Sequence, residues 1–226
     1  MYTNAQFKQP KLVIFDMDGT MLDTERLSKD SWLLATQQMG FDISSEKFDD
    51  VFFNKMMGTN LANCKAVMRE LAGSDFDVEK GYALQLANMD VYFEKHGVSI
   101  KPGLLPFLDK LESMNIKKCV ATSTSKGRAT QKLAHANLAH RFEVIVGGDE
   151  VTRSKPDPEI FLKAAKHCQT DSIDCLVLED SAAGTEGAFR AGMRVINIPD
   201  ILQPTDQVRE MAFVVCKDFF EVLDIF

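Results

Sequence analysis

The sequence predicts an α/β protein with a mostly parallel β-sheet, helices on both faces of the sheet, and an inserted helical domain. From residue 100 onward, short segments rich in β-branched residues alternate with helix-like segments of about ten to fifteen residues, which is typical of parallel sheets. The apolar runs 12–15 and 175–178 fit central strands buried on both faces. About a hundred residues separate Phe15 from Cys119, whereas a strand–helix–strand unit needs only about thirty. A domain is therefore inserted after the first strand.

The individual strands and helices follow from the same alternation. The first strand is LVIF, Leu12–Phe15. The later strands are predicted in IKKCVAT (116–122), EVIVGG (143–148), DCLVLED (174–180), RVINI (194–198) and AFVVC (212–216). The segments between them, such as KGRATQKLAHANL and PEIFLKAAKHC, are expected to form helices.

The inserted segment is expected to be helical throughout. Its apolar residues recur at helical spacing, namely Phe48, Val51, Phe52 and Met56, then Val67 and Leu71, then Leu86, Met89 and Phe93. We expect these stripes to form the core of the insert. The segment GVSIKPG (97–103) contains the glycine and proline residues that end it. We predict a catalytic core of residues 1–23 and 101–226 and a helical cap of residues 24–100.

Composition limits the classes of partner. The 226-residue chain is 45% hydrophobic, enough for a sizeable core, and its net charge of -7 disfavours non-specific nucleic-acid binding. We see no apolar run of signal-peptide or membrane-spanning length. The five cysteines are scattered and form no CxxC pair, which predicts reduced thiols. The four histidines have no metal-ligand spacing. We therefore expect a cytoplasmic protein, and a monomer by default.

Polar side chains follow four of the predicted strands. They are, in chain order, Asp16 and Asp18, then the hydroxyls of Thr122, Ser123, Thr124 and Ser125, then Lys155, and finally Glu179 and Asp180. Sites in open parallel sheets form beyond the carboxyl ends of the strands, so we expect these groups to converge. Each group alone has an ordinary explanation as a turn, a helix cap or a surface charge. Their occurrence at four successive strand ends favours a functional site.

The chemistry of this set predicts phosphoryl transfer. Converging carboxylates would raise one another's pKa, and a divalent cation removes that difficulty. Hard oxygen ligands without sulfur or nitrogen donors indicate Mg²⁺, and the lysine and hydroxyls suit a phosphate group. In such a site, catalysis consists largely of positioning and charge neutralisation.

These residues resemble the motifs of the haloacid dehalogenase superfamily of phosphohydrolases. The matching elements are DMDGT at 16–20, Thr122, Lys155 before Pro156, and EDSAAG at 179–184. The resemblance covers almost the whole chain and implies a Rossmann-like three-layer core with a helical cap. Within the superfamily, the segments around Lys155 and Asp180 are similar to the branch that contains β-phosphoglucomutase and small-molecule phosphatases.

The resemblance implies a role for each residue. Asp16 would be the nucleophile that forms an aspartyl-phosphate, and Asp18 would act first as general acid and then as general base. Thr122, or Ser123 if the alignment shifts by one residue, would bind the transferring phosphoryl group, and Lys155 would neutralise its charge. Magnesium would be held by the Asp16 carboxylate, the Asp18 backbone carbonyl, Asp180, and Glu179 directly or through water. A cis Lys155–Pro156 peptide bond is also implied.

Three functions remain open at this point. A phosphatase acting on a small phosphorylated metabolite, such as a sugar or polyol phosphate, is preferred over a β-phosphoglucomutase-type mutase. Ser28 stands where the mutase cap carries a histidine, and Leu61, shortly after Gly58, stands where it carries an arginine. A catalytically silent binding module is the third possibility, and the presence of every motif residue argues against it. The sequence does not predict the physiological substrate.

Overall fold

The computed structural model describes residues 8–57 and 59–226, so the first seven residues of the predicted core and Gly58 lie outside it. Its strands are β1 (Leu12–Phe15), β2 (Lys117–Ala121), β3 (Ile145–Val146), β4 (Cys175–Glu179), β5 (Arg194–Asn197) and β6 (Val214–Val215). They form one six-stranded sheet in the order β3-β2-β1-β4-β5-β6, with every neighbouring pair parallel. The predicted Rossmann-like α/β fold with a mostly parallel sheet is confirmed.

The helices divide into an inserted group and a group that covers the sheet. The inserted helices are α1 (Glu25–Gln38), α2 (Ser45–Val51), a π-helical turn (Phe52–Met56), α3 (Leu61–Ala72) and α4 (Val78–His96). The others are α5 (Leu104–Ser113), α6 (Lys126–His135), α7 (Glu159–His167), α8 (Ala182–Arg190), α9 (Asp206–Met211) and α10 (Phe219–Leu223). In the described part of the chain, no helix is both long and apolar enough to cross a membrane.

Strand β1 shows why the core has three layers. All four of its side chains are buried, and neighbours along a strand point to opposite faces. Val13 and Phe15 belong to an apolar cluster that includes α5, α6 and α10, whereas Leu12 and Ile14 belong to a second cluster that includes α7 and α8. The continuous apolar run is therefore explained by burial of the strand on both faces.

The inserted helices have an apolar cluster of their own. It contains Phe48, Phe52, Met56 and Val67 of the predicted stripes. The stripe on α4 lies outside this cluster, and its Leu86 and Met89 line an open cleft. The division of the chain into a core and a cap of residues 24–100 remains a prediction.

Replacement of Phe15 by alanine should destabilise the fold by about 3–5 kcal/mol, because the fully buried ring would leave a cavity. Its centroid lies 6.0 Å from that of Phe107, 5.6 Å from that of Phe142 and 6.3 Å from that of Phe219. Urea unfolding measures the loss. Phe189→Ala is the control, since that ring is 55% exposed and its removal should change the free energy of unfolding by only about 0.5 kcal/mol. Equal losses in the two variants would contradict the packing described for Phe15.

Candidate active site

A cleft of about 440 Å³ lies between the carboxyl edge of the sheet and the inserted helices. Every residue predicted for the site lines it, namely Asp16, Asp18, Thr122, Ser123, Lys155, Glu179 and Asp180. The parallel pairing of β1 with both β2 and β4 explains this convergence, because all three strands end at the same edge. The structure thus brings together residues that are far apart in the chain.

Lys155 lies at the centre of the charged residues. It is 9% exposed, and its Nζ lies 2.5 Å from Asp16 Oδ1 and 2.7 Å from Glu179 Oε1. It also donates a hydrogen bond to the Ala121 carbonyl at 3.3 Å. Burial alone would lower the pKa of this ammonium group, but the two carboxylates outweigh it and raise the pKa. The peptide bond that follows, Lys155–Pro156, is cis, as the resemblance implied.

Three carboxylates form a group that suits a hard cation. Oxygen atoms of Asp16, Glu179 and Asp180 lie within 4.8 Å of one another. Burial raises the pKa of Asp16 to about 7, and burial with the charge of Glu179 raises the pKa of Asp180 well above its usual value. Asp16 and Asp180 therefore resist ionising, and a bound divalent cation would favour their charged forms. A set of oxygen donors alone fits Mg²⁺.

The two adjacent acidic residues after β4 differ in their contacts. Both oxygens of Glu179 are engaged, since Oε1 faces Lys155 and Oε2 accepts hydrogen bonds from the Ser181 amide at 2.7 Å and hydroxyl at 2.9 Å. Asp180 Oδ1 accepts a hydrogen bond from the Thr20 hydroxyl at 2.9 Å. Glu179 therefore holds Lys155 and the start of α8, and Asp180 retains Oδ2 for a ligand.

Two glycines allow these acidic residues to approach the backbone closely. A Cβ on Gly19, whose φ is +83°, would lie 2.4 Å from Asp180 Oδ2. A Cβ on Gly184 would lie 1.7 Å from Glu179 Oε1. Both distances are far below van der Waals contact. The glycines in DMDGT and EDSAAG are therefore required by the packing of the carboxylates, in addition to the turn at Gly19.

Asp18 is held by three side chains. The sequence analysis missed Lys132 and Thr24, whereas Thr124 was among the hydroxyl residues expected to converge on the site. Oδ1 contacts Lys132 Nζ at 2.6 Å and accepts a hydrogen bond from Thr24 at 2.5 Å, and Oδ2 accepts one from Thr124 at 2.7 Å. Burial would raise the pKa of Asp18, but Lys132 and these hydrogen bonds outweigh it and lower the pKa. Thr24 lies four residues after DMDGT, so its place in the chain could have marked it as a candidate site residue. Lys132 lies in α6 without any local motif, and only tertiary folding indicates its role.

The hydroxyl residues after β2 also reach the cleft. Thr122 is 1% exposed, and its Oγ1 accepts a hydrogen bond from the Thr124 amide at 3.1 Å. Ser123 is half-buried beside Gly148, where a Cβ would lie 2.2 Å from the Ser123 carbonyl oxygen. Both Thr122 and Ser123 line the cleft, so either of them can bind a phosphate group.

The inserted helices supply the other wall of the cleft. The large apolar residues of this wall include Trp32, Phe52, Met56, Tyr82, Leu86 and Met89. Two polar contacts join this wall to the sheet side: Asn60 Nδ2 donates to Ser154 Oγ at 2.6 Å, and Arg128 of α6 pairs with Asp90 of α4. The cleft is therefore built jointly by the sheet edge and the insert.

Glu25, also missed by the sequence analysis, should make the protein less stable as pH rises. Burial and Asp18 raise its pKa from 4.5 to about 8, so between these values only the unfolded chain ionises. The free energy of unfolding then falls by up to about 1.4 kcal/mol per pH unit. Glu25→Gln should become more stable relative to the native chain as pH rises from about 5.5 to about 7.5.

Urea unfolding without divalent cations measures this difference. The control is Glu46→Gln, which alters an exposed side chain and should show no such trend. A pH dependence of Glu25→Gln identical to that of the unaltered protein would contradict the assigned pKa.

Comparison with known proteins agrees with the geometry. Residues 13–198 match the model of the haloacid dehalogenase-like hydrolase family. The chain is 28% identical over 219 residues to the phosphorylated carbohydrates phosphatase of Thermotoga maritima, covering 94% of this chain and 96% of that protein. It is 29% identical over 193 residues to the fructose-1-phosphate phosphatase YqaB of Escherichia coli, covering 82% and 95% respectively.

A solved structure and longer relatives complete the comparison. A Thermotoga maritima protein provisionally named β-phosphoglucomutase superimposes with a TM-score of 0.77 and 28% identity, covering 94% of this chain and 98% of that one. The chain spans only 18% and 52% of the length of two other curated relatives. Because the family match spans residues 13–198, the chain belongs to the haloacid dehalogenase-like hydrolases.

Proposed function

We propose that this protein is a magnesium-dependent phosphatase that hydrolyses a small sugar or polyol phosphate through an aspartyl-phosphate on Asp16. The observation that carries the proposal is the buried contact between Asp16 and Lys155. Asp18 lines the same cleft, whose volume is large enough for a small metabolite. The named phosphatases among the relatives support the same class of reaction.

The first step forms a bond between an Asp16 carboxylate oxygen and phosphorus. The bond from phosphorus to the substrate's alcohol oxygen breaks, and Asp18 gives that oxygen a proton. The Asp18 pKa is low without substrate, and the negative charge of a bound phosphate raises it toward the protonated form. Lys155 offsets the charge of Asp16 and the phosphoryl oxygens, while Thr122 or Ser123 donates a hydrogen bond to the latter.

The second step restores the enzyme. Asp18, now ionised, takes a proton from water as the water oxygen attacks phosphorus, and the bond to Asp16 breaks to release inorganic phosphate. The contacts of Asp18 with Lys132, Thr24 and Thr124 support this step, because they favour the ionised carboxylate. Magnesium, held by Asp16, Asp180 and the Asp18 backbone carbonyl, with Glu179 directly or through water, would neutralise charge on the phosphoryl oxygens.

A phosphomutase is the second candidate, since a structural relative bears that provisional name. A mutase that uses a bisphosphate must bind a second phosphate group. Among the described residues, each cation that lines the cleft already faces a carboxylate: Lys155 faces Asp16, Lys132 faces Asp18, and Arg128 faces Asp90. This charge balance favours a single phosphate group and therefore supports hydrolysis.

Replacement of Asp16 by asparagine should lower phosphate release by at least ~10³-fold, because the amide is a poor nucleophile. Release is measured across sugar and polyol phosphates, with glucose 6-phosphate followed in parallel when β-glucose 1-phosphate and its bisphosphate are supplied. Asp23→Asn, at an exposed position, is the control and should retain activity. Full turnover by Asp16→Asn would rule out the covalent mechanism, and glucose 6-phosphate formed without free phosphate would establish the mutase instead.

Removal of divalent cations should abolish turnover reversibly. Dialysis against EDTA would remove the divalent cation proposed to bind Asp16 and Asp180, and added magnesium should restore the rate. The measurement is phosphate release before chelation, after it, and after magnesium is returned. Activity that persists in EDTA would contradict the metal assignment while leaving the nucleophile untouched.

A further inference from the structure

Two buried polar side chains that line the cleft have atoms without a hydrogen-bond partner among the described residues. Arg128 is 8% exposed, and its Nε and Nη2 are unpaired. Gln85 is 3% exposed, and its Oε1 is unpaired. A buried donor or acceptor without a partner has lost its hydrogen bonds to water without gaining others, so native proteins retain few of them. Three such atoms belong to two side chains that line the same cleft, which suggests a ligand whose polar groups pair with them.

Both side chains are held in place by their remaining atoms. Arg128 Nη1 contacts Asp90 Oδ1 and Gln131 Oε1, and its guanidinium carbon lies 5.7 Å from the Phe93 ring centroid. Gln85 Nε2 donates a hydrogen bond to Ser28 Oγ at 3.3 Å. The unpaired atoms are therefore preorganised, and binding a ligand there would order little further structure.

The unpaired atoms match a hydroxyl group better than an anion. A hydroxyl can accept a hydrogen bond from Arg128 and donate its own hydrogen to Gln85 Oε1. Asp90 already balances the charge of Arg128, and Glu25 and Asp18 add carboxyl groups to the same cleft. A second phosphate or a carboxylate would therefore meet no uncompensated cation there.

On this basis, and resting on the proposed phosphatase function, we propose that Arg128 and Gln85 bind a hydroxyl group of the leaving alcohol. The substrate is then a phosphate monoester of a polyhydroxylated compound, recognised jointly by α6 of the sheet side and α4 of the insert. The apolar side chains of Trp32, Tyr82 and Leu86 suit the C–H groups of the same compound.

The test compares hydroxylated esters with hydroxyl-free esters of matched carbon skeleton. Glycerol 3-phosphate is paired with propyl phosphate, and glucose 6-phosphate and fructose 1-phosphate are paired with tetrahydropyran-2-ylmethyl phosphate, the hydroxyl-free skeleton of their pyranose forms. With magnesium present, the unaltered protein should show a kcat/KM at least about 10²-fold higher for a hydroxylated ester than for its partner, since a site built to bind a hydroxyl rejects analogues that lack it.

The variants are Arg128→Lys, which keeps a cation beside Asp90 but removes the unpaired donors, and Gln85→Met, which keeps the side-chain length. Each should reduce the ratio of the two kcat/KM values by about tenfold or more, mostly through the hydroxylated ester. Gln38→Met is the control, because Gln38 is exposed on α1 outside the cleft and its replacement should preserve the ratio.

The possible failures are distinguishable. Equal loss of kcat/KM on both members of a pair would overturn the hydroxyl assignment while leaving the phosphatase in place. If a variant does not fold, the unaltered protein still decides, since equal kcat/KM values for the two members of every pair would overturn the assignment. Phosphate release from none of the esters would overturn the proposed function itself.

Discussion

The buried contacts of Lys155 with Asp16 and Glu179 organise the whole site. Lys155 is 139 positions from Asp16 and 24 positions from Glu179 in the chain. The two contacts therefore connect the loop after β3 with the end of β1 and the end of β4. A buried charge is tolerated only when it is paired, so none of the three side chains is stable there without the others. Gly184 beside Glu179 and Gly19 beside Asp180 leave the space that this arrangement of carboxylates requires.

The charged residues around Lys155 include more carboxyl groups than ammonium groups. This excess of negative charge affects both the stability of the fold and the protonation states of the site residues. Burial raises the pKa of Asp16, Asp180 and Glu25, whereas Asp18 is held ionised by Lys132. Two aspartates only two residues apart are thereby given opposite electrostatic environments. The proposed first step needs the reverse protonation, with Asp16 ionised and Asp18 protonated, and a bound cation and a bound phosphate would shift the two pKa values in those directions. A divalent cation would complete the cluster where the carboxylates are least able to ionise.

The inserted helices contribute more than a cover for the sheet edge. Their apolar residues serve both a core of their own and the wall of the cleft, since Phe52 and Met56 belong to the core cluster and also line the cleft. Met89 is buried and lines the cleft without belonging to that cluster. The polar contacts Asn60–Ser154 and Asp90–Arg128 reach across to the sheet side next to the groups that would bind substrate. Under the proposed function, side chains of both regions would therefore contact the substrate.

The sequence by itself determined the α/β class, the parallel sheet, the inserted helices and the motif residues from Asp16 to Asp180. These follow from local periodicity and from the rule that parallel strands end at one edge. The placement of Lys132 and Arg128 at the cleft became visible only in the tertiary structure, because a polar residue on a helix resembles a surface residue until its neighbours are known. The engagement of both Glu179 oxygens and the unpaired atoms of Gln85 likewise depend on distances between side chains that no local pattern encodes.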